Sequence, residues 1–124
     1  MSLIYHITTR SAEKSARQSG EYRVESLLKE GFIHFSQRHQ LSGVANSFYK
    51  GQTDLVILVV DETLLIPEIK YEAPVHPGGK SPEANSTISN INQLFPHVYG
   101  PLNFNAVVDV LDLPMAADGS FEIL

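Results

Sequence analysis

The sequence predicts a single α+β domain, and three observations carry that prediction. The chain has 124 residues, which suits one hydrophobic core. Its apolar fraction of 43% is that of a globular protein and exceeds that of a disordered one. Short β-branched and aromatic runs are spread along the chain, while helical patterns gather in the first half, so strands and helices do not alternate regularly.

The elements follow in order. Leu3 to Ile7 reads as a strand that ends in the polar pair Thr8-Thr9. A helix follows, capped by Thr9 or Ser11, with Ala12 and Ala16 four apart and Gly20 as its stop. Ser26 to Glu30 reads as one short helical turn ended by Gly31, and Phe32 to Phe35 as the next strand. Gln40 to Tyr49 is the clearest helix, because Leu41, Val44, Ala45 and Phe48 fall at i, i+3, i+4 and i+7. Gly51 ends it.

Leu55 to Val60 is continuously apolar between Asp54 and Asp61, the pattern of a central strand buried on both faces. Ile69 to Ala73 alternates weakly and reads as a further strand. Pro74 to Ser89 is rich in Pro, Gly and small polar residues and reads as a long functional loop. Ala106 to Leu113 is a final strand, with Phe121 to Leu124 pairing at an edge.

The net charge of −5 argues against a nucleic-acid backbone as the main partner. Arg10, Arg17, Arg23 and Arg38 remain as local contacts for a nucleotide phosphate. The chain has no cysteine, which excludes disulfides and thiolate chemistry and fits a cytoplasmic protein. No signal peptide is evident, and Leu55 to Val60 is too short to cross a bilayer as a helix. No P-loop, nucleophile elbow or dinucleotide-binding glycine motif is present, and no histidine pair has metal-ligand spacing.

Chemistry therefore centres on the histidines. Strand alternation places His6 on one face with Ile4 and Thr8, and His34 on one face with Phe32 and Ser36. Each pair sets an imidazole beside a hydroxyl, which suits contacts to ribose or phosphate oxygens and proton transfer near neutral pH. Each reads equally well as a core histidine bonded to a carbonyl. His97 and Tyr99 lie in Phe95-Pro96-His97-Val98-Tyr99-Gly100-Pro101-Leu102-Asn103, which reads either as a rigid loop presenting two polar tips or as a turn that simply joins the polar loop to the last strand. Glu72, on a strand beside the long loop, reads either as a carboxylate that orients an imidazole or holds a ribose hydroxyl, or, as is commoner, as a solvated edge charge. The catalytic candidates are thus His6, His34, Glu72 and His97. The ligand-binding candidates are Thr8, Ser36, Tyr99 and Gly100. His39 and His76 read as surface residues, and Asn46 as a cap or surface residue.

Taken together, Ile4-Tyr5-His6-Ile7-Thr8, Gly31-Phe32-Ile33-His34-Phe35-Ser36, Val44-Ala45-Asn46, Asp54-Leu55-Val56, Tyr71-Glu72 and Phe95 to Leu102 resemble a bacterial family of unknown function, DUF952. The resemblance implies the fold of the ADP-ribosyltransferases, including the RNA 2′-phosphotransferases. That fold is a split antiparallel β-sandwich with a few helices that holds NAD in a cleft. The resemblance implies a ribose-binding role for His6, the histidine of the first strand. One departure stands out: where many such transferases carry a catalytic glutamate near a late strand, this chain reads Asn103-Phe104-Asn105-Ala106.

Three functions follow as expectations. The first is a nucleotide-binding domain that takes NAD or ADP-ribose as substrate or ligand, acts as a transferase or glycohydrolase, and requires no metal or other cofactor. The second is a phosphoesterase using the two His-x-Thr/Ser pairs as base and acid. The third is a non-catalytic nucleotide-binding or interaction module.

Overall fold

The computed structural model describes residues 2–73 and 94–121. The Pro74–Ser89 segment, His76 and the last three residues of the expected edge strand lie outside them. The described strands are β1 (Leu3–Thr9), β2 (Glu21–Tyr22), β3 (Ile33–His34), β4 (Leu55–Asp61), β5 (Glu68–Glu72), β6 (Phe95–Tyr99), β7 (Leu102–Asn103) and β8 (Val107–Leu113). The helices are α1 (Arg10–Ser19), α2 (Glu25–Glu30) and α3 (Leu41–Phe48). Among the described residues the strands form three antiparallel sheets, ordered β1-β4-β8, β2-β7 and β3-β6-β5. The architecture is α+β.

β4 lies at the centre of the first sheet and is buried from end to end, as its unbroken apolar run requires. Alternation divides its side chains between two cores. Val56, Leu58 and Val60 pack with Ile4, Ala16, Tyr22, Ile33, Phe35, Val98 and Leu102. Leu55 and Ile57 pack on the other face with Ile7, Leu41, Ala45, Leu113 and Phe121. α3 covers this second face, and its Leu41 and Ala45 are the fully buried members of the expected apolar stripe.

The helix ends follow local chemistry. The Thr9 hydroxyl accepts from the Ala12 N–H at 3.1 Å, capping α1. Gly20 and Gly31 close α1 and α2 in the left-handed conformation, with φ of 83° and 87°. At Gly31 this reverses the chain straight into β3.

The Phe95–Tyr99 segment differs from expectation. It is not a turn but the central strand β6, paired with both β3 and β5. The proline within it explains both the misreading and the shortness of β3. The Pro96 carbonyl accepts from the Phe35 N–H at 3.0 Å, but proline has no N–H to return, so the ladder stops at His34. The turn proper follows at Gly100, where an added Cβ would sit 2.8 Å from Cβ of Pro67. β2 and β7 are two-residue strands that the sequence did not signal. Val107, not Ala106, begins β8, and Phe121 forms a single bridge to Met115.

Candidate functional site

The two three-stranded sheets are tied by one antiparallel bridge. The Tyr5 N–H donates to the Ser36 carbonyl at 2.9 Å, and the Ser36 N–H donates back at 2.7 Å. This bridge sets β1 beside the end of β3, and a cavity of about 680 Å³ opens there, walled on another side by α3. His6, Thr8, His34, Ser36 and His97 all line it. Among its remaining described walls, Tyr22, Phe35, Phe48, Tyr49 and Phe95 are aromatic, Ile7, Val24, Val44 and Leu55 are aliphatic, and Gly43 and Ser47 from α3 are small. The floor near β6 is positioned by two amides, since Gln37 and Gln40 both donate to the Leu94 carbonyl, at 2.8 and 2.9 Å.

His6 is buried, and both of its ring nitrogens are engaged. Nδ1 lies 2.5 Å from the His34 carbonyl oxygen, which can only accept, so Nδ1 carries the proton. Burial is the main cause that holds His6 neutral, lowering its pKa from 6.5 to about 4. Nε2 is then a bare acceptor, 2.8 Å from the Tyr22 hydroxyl. Tyr22 has one proton and it belongs on this bond. Thr8, whose Oγ1 is 2.7 Å from the Tyr22 oxygen, donates in turn. The result is a directed chain, Thr8 to Tyr22 to His6 to the His34 carbonyl. It locks β1, β2 and β3 together at the cavity wall. Tyr22→Phe should leave His6 Nε2 and the Thr8 hydroxyl unpaired and lower the unfolding free energy by about 1–3 kcal/mol, read by urea denaturation. A cost near zero would show that the chain does not form.

His97 is also buried, at 1% exposure, but is engaged on one side only. Its Nδ1–H donates to Oε1 of Glu72 at 2.8 Å, and the Tyr99 hydroxyl donates to the same oxygen. The opposite nitrogen, Nε2, is buried and has no hydrogen-bond partner among the described residues. Phe32 stacks on the imidazole with centroids 4.1 Å apart, and His34 meets it edge-on at 5.7 Å. Burial pulls the His97 pKa below its usual value, partly opposed by Glu72. Burial also works against ionisation of Glu72, but the bonds from Tyr99 and His97 outweigh it, so its pKa lies below the usual carboxylate range. Burial and the neighbouring Glu72 push Tyr99 up to about 12.

His34 is half-buried, and its Nε2 lies 3.2 Å from Glu30 at the end of α2. Ser36 and Thr8 are buried. Glu72 and Tyr99 stand behind His97 and do not themselves line the cavity, and Gly100 lies in the bend against Pro67. The arginines are directed elsewhere. Arg10 is held by Asp54 and Asp112, Arg17 by Glu13 and Arg23 by Glu21. None of them, nor Arg38, is among the lining residues.

His39 is exposed, as expected of a surface residue, and it also lines the cavity. Asn46 is not a cap: its amide exchanges two hydrogen bonds with the Phe121 backbone, at 3.0 and 2.8 Å, and fastens the C-terminal segment to α3. Tyr22 and Glu30 were missed. Tyr22 carried a weak signal, a buried-type residue two positions past a helix-ending glycine. Glu30 carried none, because Gly31 breaks the helical spacing to His34. Among the described residues, no group of three or more His, Asp or Glu could hold a metal ion. No described helix is long and apolar enough to cross a membrane.

Fold and site define an α+β protein whose antiparallel sheets meet at a histidine-lined cavity. Residues 7–110 match the family described as a protein of unknown function, DUF952, and the chain belongs to that family. It is similar to protein CC0527 from Caulobacter crescentus. The X-ray structure of that protein is 32% identical with a TM-score of 0.76, over 98% of this chain and 94% of that one. The solution NMR structure of CC0527 gives 32% identity and a TM-score of 0.72, over 97% and 91%. No curated protein matches the chain.

Proposed function

We propose that this chain is a nucleotide-binding protein of ADP-ribosyltransferase-like architecture that takes NAD, ADP-ribose or a related nucleotide in the cavity. The observation that carries this reading is the convergence of His6, His34 and His97, from three strands in two sheets, on one cavity of about 680 Å³. That volume lies within the range of small-molecule and cofactor sites. Aromatic walls suit a flat heterocycle, and the His34 imidazole and Ser36 hydroxyl suit ribose oxygens. His6 acts through its neighbours, since both its nitrogens are spent within the protein.

The same fact weighs against the two-histidine phosphoesterase, in which His6 would have to exchange a proton with substrate. Glu72, committed to His97 and Tyr99, supports binding rather than a transferase role for itself. The test is calorimetric titration with NAD, ADP-ribose and adenosine, followed by chromatography for released nicotinamide. Failure of all three to bind would overturn the reading.

His34→Ala should weaken binding of the ligand by about 1.5–3 kcal/mol, roughly tenfold or more in affinity. Melting temperature should barely move, because the His34 side chain is only part-buried, with 27% exposure. A large fall in melting temperature at unchanged affinity would remove His34 from the site.

A further inference from the structure

We infer that the cavity recognises an uncharged aromatic group bearing an N–H or O–H donor, which docks on Nε2 of His97, and that it excludes phosphate. This rests on the ligand-binding reading above and names which end of a nucleotide the site takes. The heterocycle enters, and the phosphates stay outside.

Two independent observations support it. The first is the lone acceptor. Beside the ring of Phe32, which stacks on it, His97 Nε2 is buried and has no partner among the described residues, although leaving a buried polar atom unpaired is costly. Its identity as an acceptor is set from behind. Glu72 can only accept, so the proton must sit on Nδ1, and the lone pair faces away from Glu72. Tyr99 holds Glu72 in that position. A ligand donor would satisfy the orphaned nitrogen, while a carboxylate or phosphate oxygen would place lone pair against lone pair.

The second observation is electrostatic. No lysine or arginine is among the described residues that line the cavity, whereas Glu30 is. Arg10, Arg17 and Arg23 are paired with carboxylates, and none of them lines the cavity. His6 is held neutral and donates its one proton to the His34 carbonyl. An anion entering here would lose its hydration and meet no lysine or arginine of the described residues in return.

The test uses three probes that share one ring. Benzamide is neutral and carries N–H donors, N,N-dimethylbenzamide is neutral without a donor, and benzoate is anionic without a donor. Affinities are measured by NMR titration of the full chain, with the imidazole nitrogens of His97 followed by long-range 1H–15N correlation. The free protein should show a protonated Nδ1 and a bare Nε2. Benzamide should shift Nε2 and bind at least tenfold more tightly than either analogue. His97→Phe, which keeps the stack on Phe32 but removes the acceptor, should abolish that preference.

Equal affinities, tighter benzoate binding, a protonated Nε2 in the free protein, or no binding by any probe would each overturn the inference. If His97→Phe fails to fold, the wild-type nitrogen shifts and the three affinities still decide it. If the benzamide series behaves as stated but no nucleotide or nucleoside binds, the nucleotide reading falls and this one stands. If nucleotides bind through their phosphates, the reverse holds.

Discussion

Replacing Phe35 with alanine is expected to lower the unfolding free energy by about 3–5 kcal/mol, the scale of truncating a buried aromatic residue. Phe35 is among the largest fully buried side chains, at 1% exposure, and belongs to the core on the inner face of β4. It also follows directly on β3, and its ring centroid lies 5.2 Å from that of His6. Truncation therefore removes packing from the place where the two larger sheets meet, and it enlarges the cavity that Phe35 lines. The neighbouring sheets are fixed by β4 and by the Tyr5–Ser36 bridge, so they cannot collapse fully into the space. Urea denaturation measures the loss. Phe48→Ala is the control: Phe48 lines the same cavity but is 43% exposed, so its loss should cost far less. Equal costs at the two positions would show that the core is not centred where the packing places it.

Acidification is expected to destabilise the protein steeply between pH 6.5 and about 4, with His6 as a main cause. Its folded pKa is depressed to about 4 from an unfolded value near 6.5, chiefly by burial. Between those two values the unfolded chain binds a proton that the folded one refuses, so stability rises with pH across this window. The stabilisation is complete above pH 6.5 and is lost progressively as pH falls toward 4. The gap corresponds to roughly 3 kcal/mol. His97 is depressed as well and acts in the same direction. Glu72, whose pKa is also lowered, adds a loss at still lower pH. Unfolding free energies measured from pH 7.5 to pH 4 should show the slope, and His6→Gln should flatten most of it. An unchanged slope in that variant would mean that other groups carry the acid sensitivity.

The parts of the fold legible in the sequence were those whose signal is local. Thr9 and Gly20 mark the ends of α1 because a cap needs only a hydroxyl and a tight turn needs only a missing side chain. β4 announces itself because a strand covered on both faces must be apolar at every position. The alternation of Ile4, His6 and Thr8 identified one face of β1, and all three proved buried. β6 was misread because Pro96 is a strong local signal for a turn. Only its position, where Phe35 needs a carbonyl and nothing from proline, makes it tolerable in a central strand.

By itself the sequence determined the α+β class, the central strand and the residue types available for chemistry, histidines rather than cysteine. Only the tertiary structure decided what each histidine can do. His6 and His34 looked alike as His-x-Thr and His-x-Ser on short strands. Pairing across the chain, with Tyr22 on one side and the His34 carbonyl on the other, used up both nitrogens of His6. His97, which looked like a loop residue, has a buried nitrogen with no partner among the described residues, while register sets it across from β5, within reach of Glu72. The reason is physical: propensity, capping and alternation act over a few residues, whereas a ring's tautomer and its unused atom depend on partners tens of residues away.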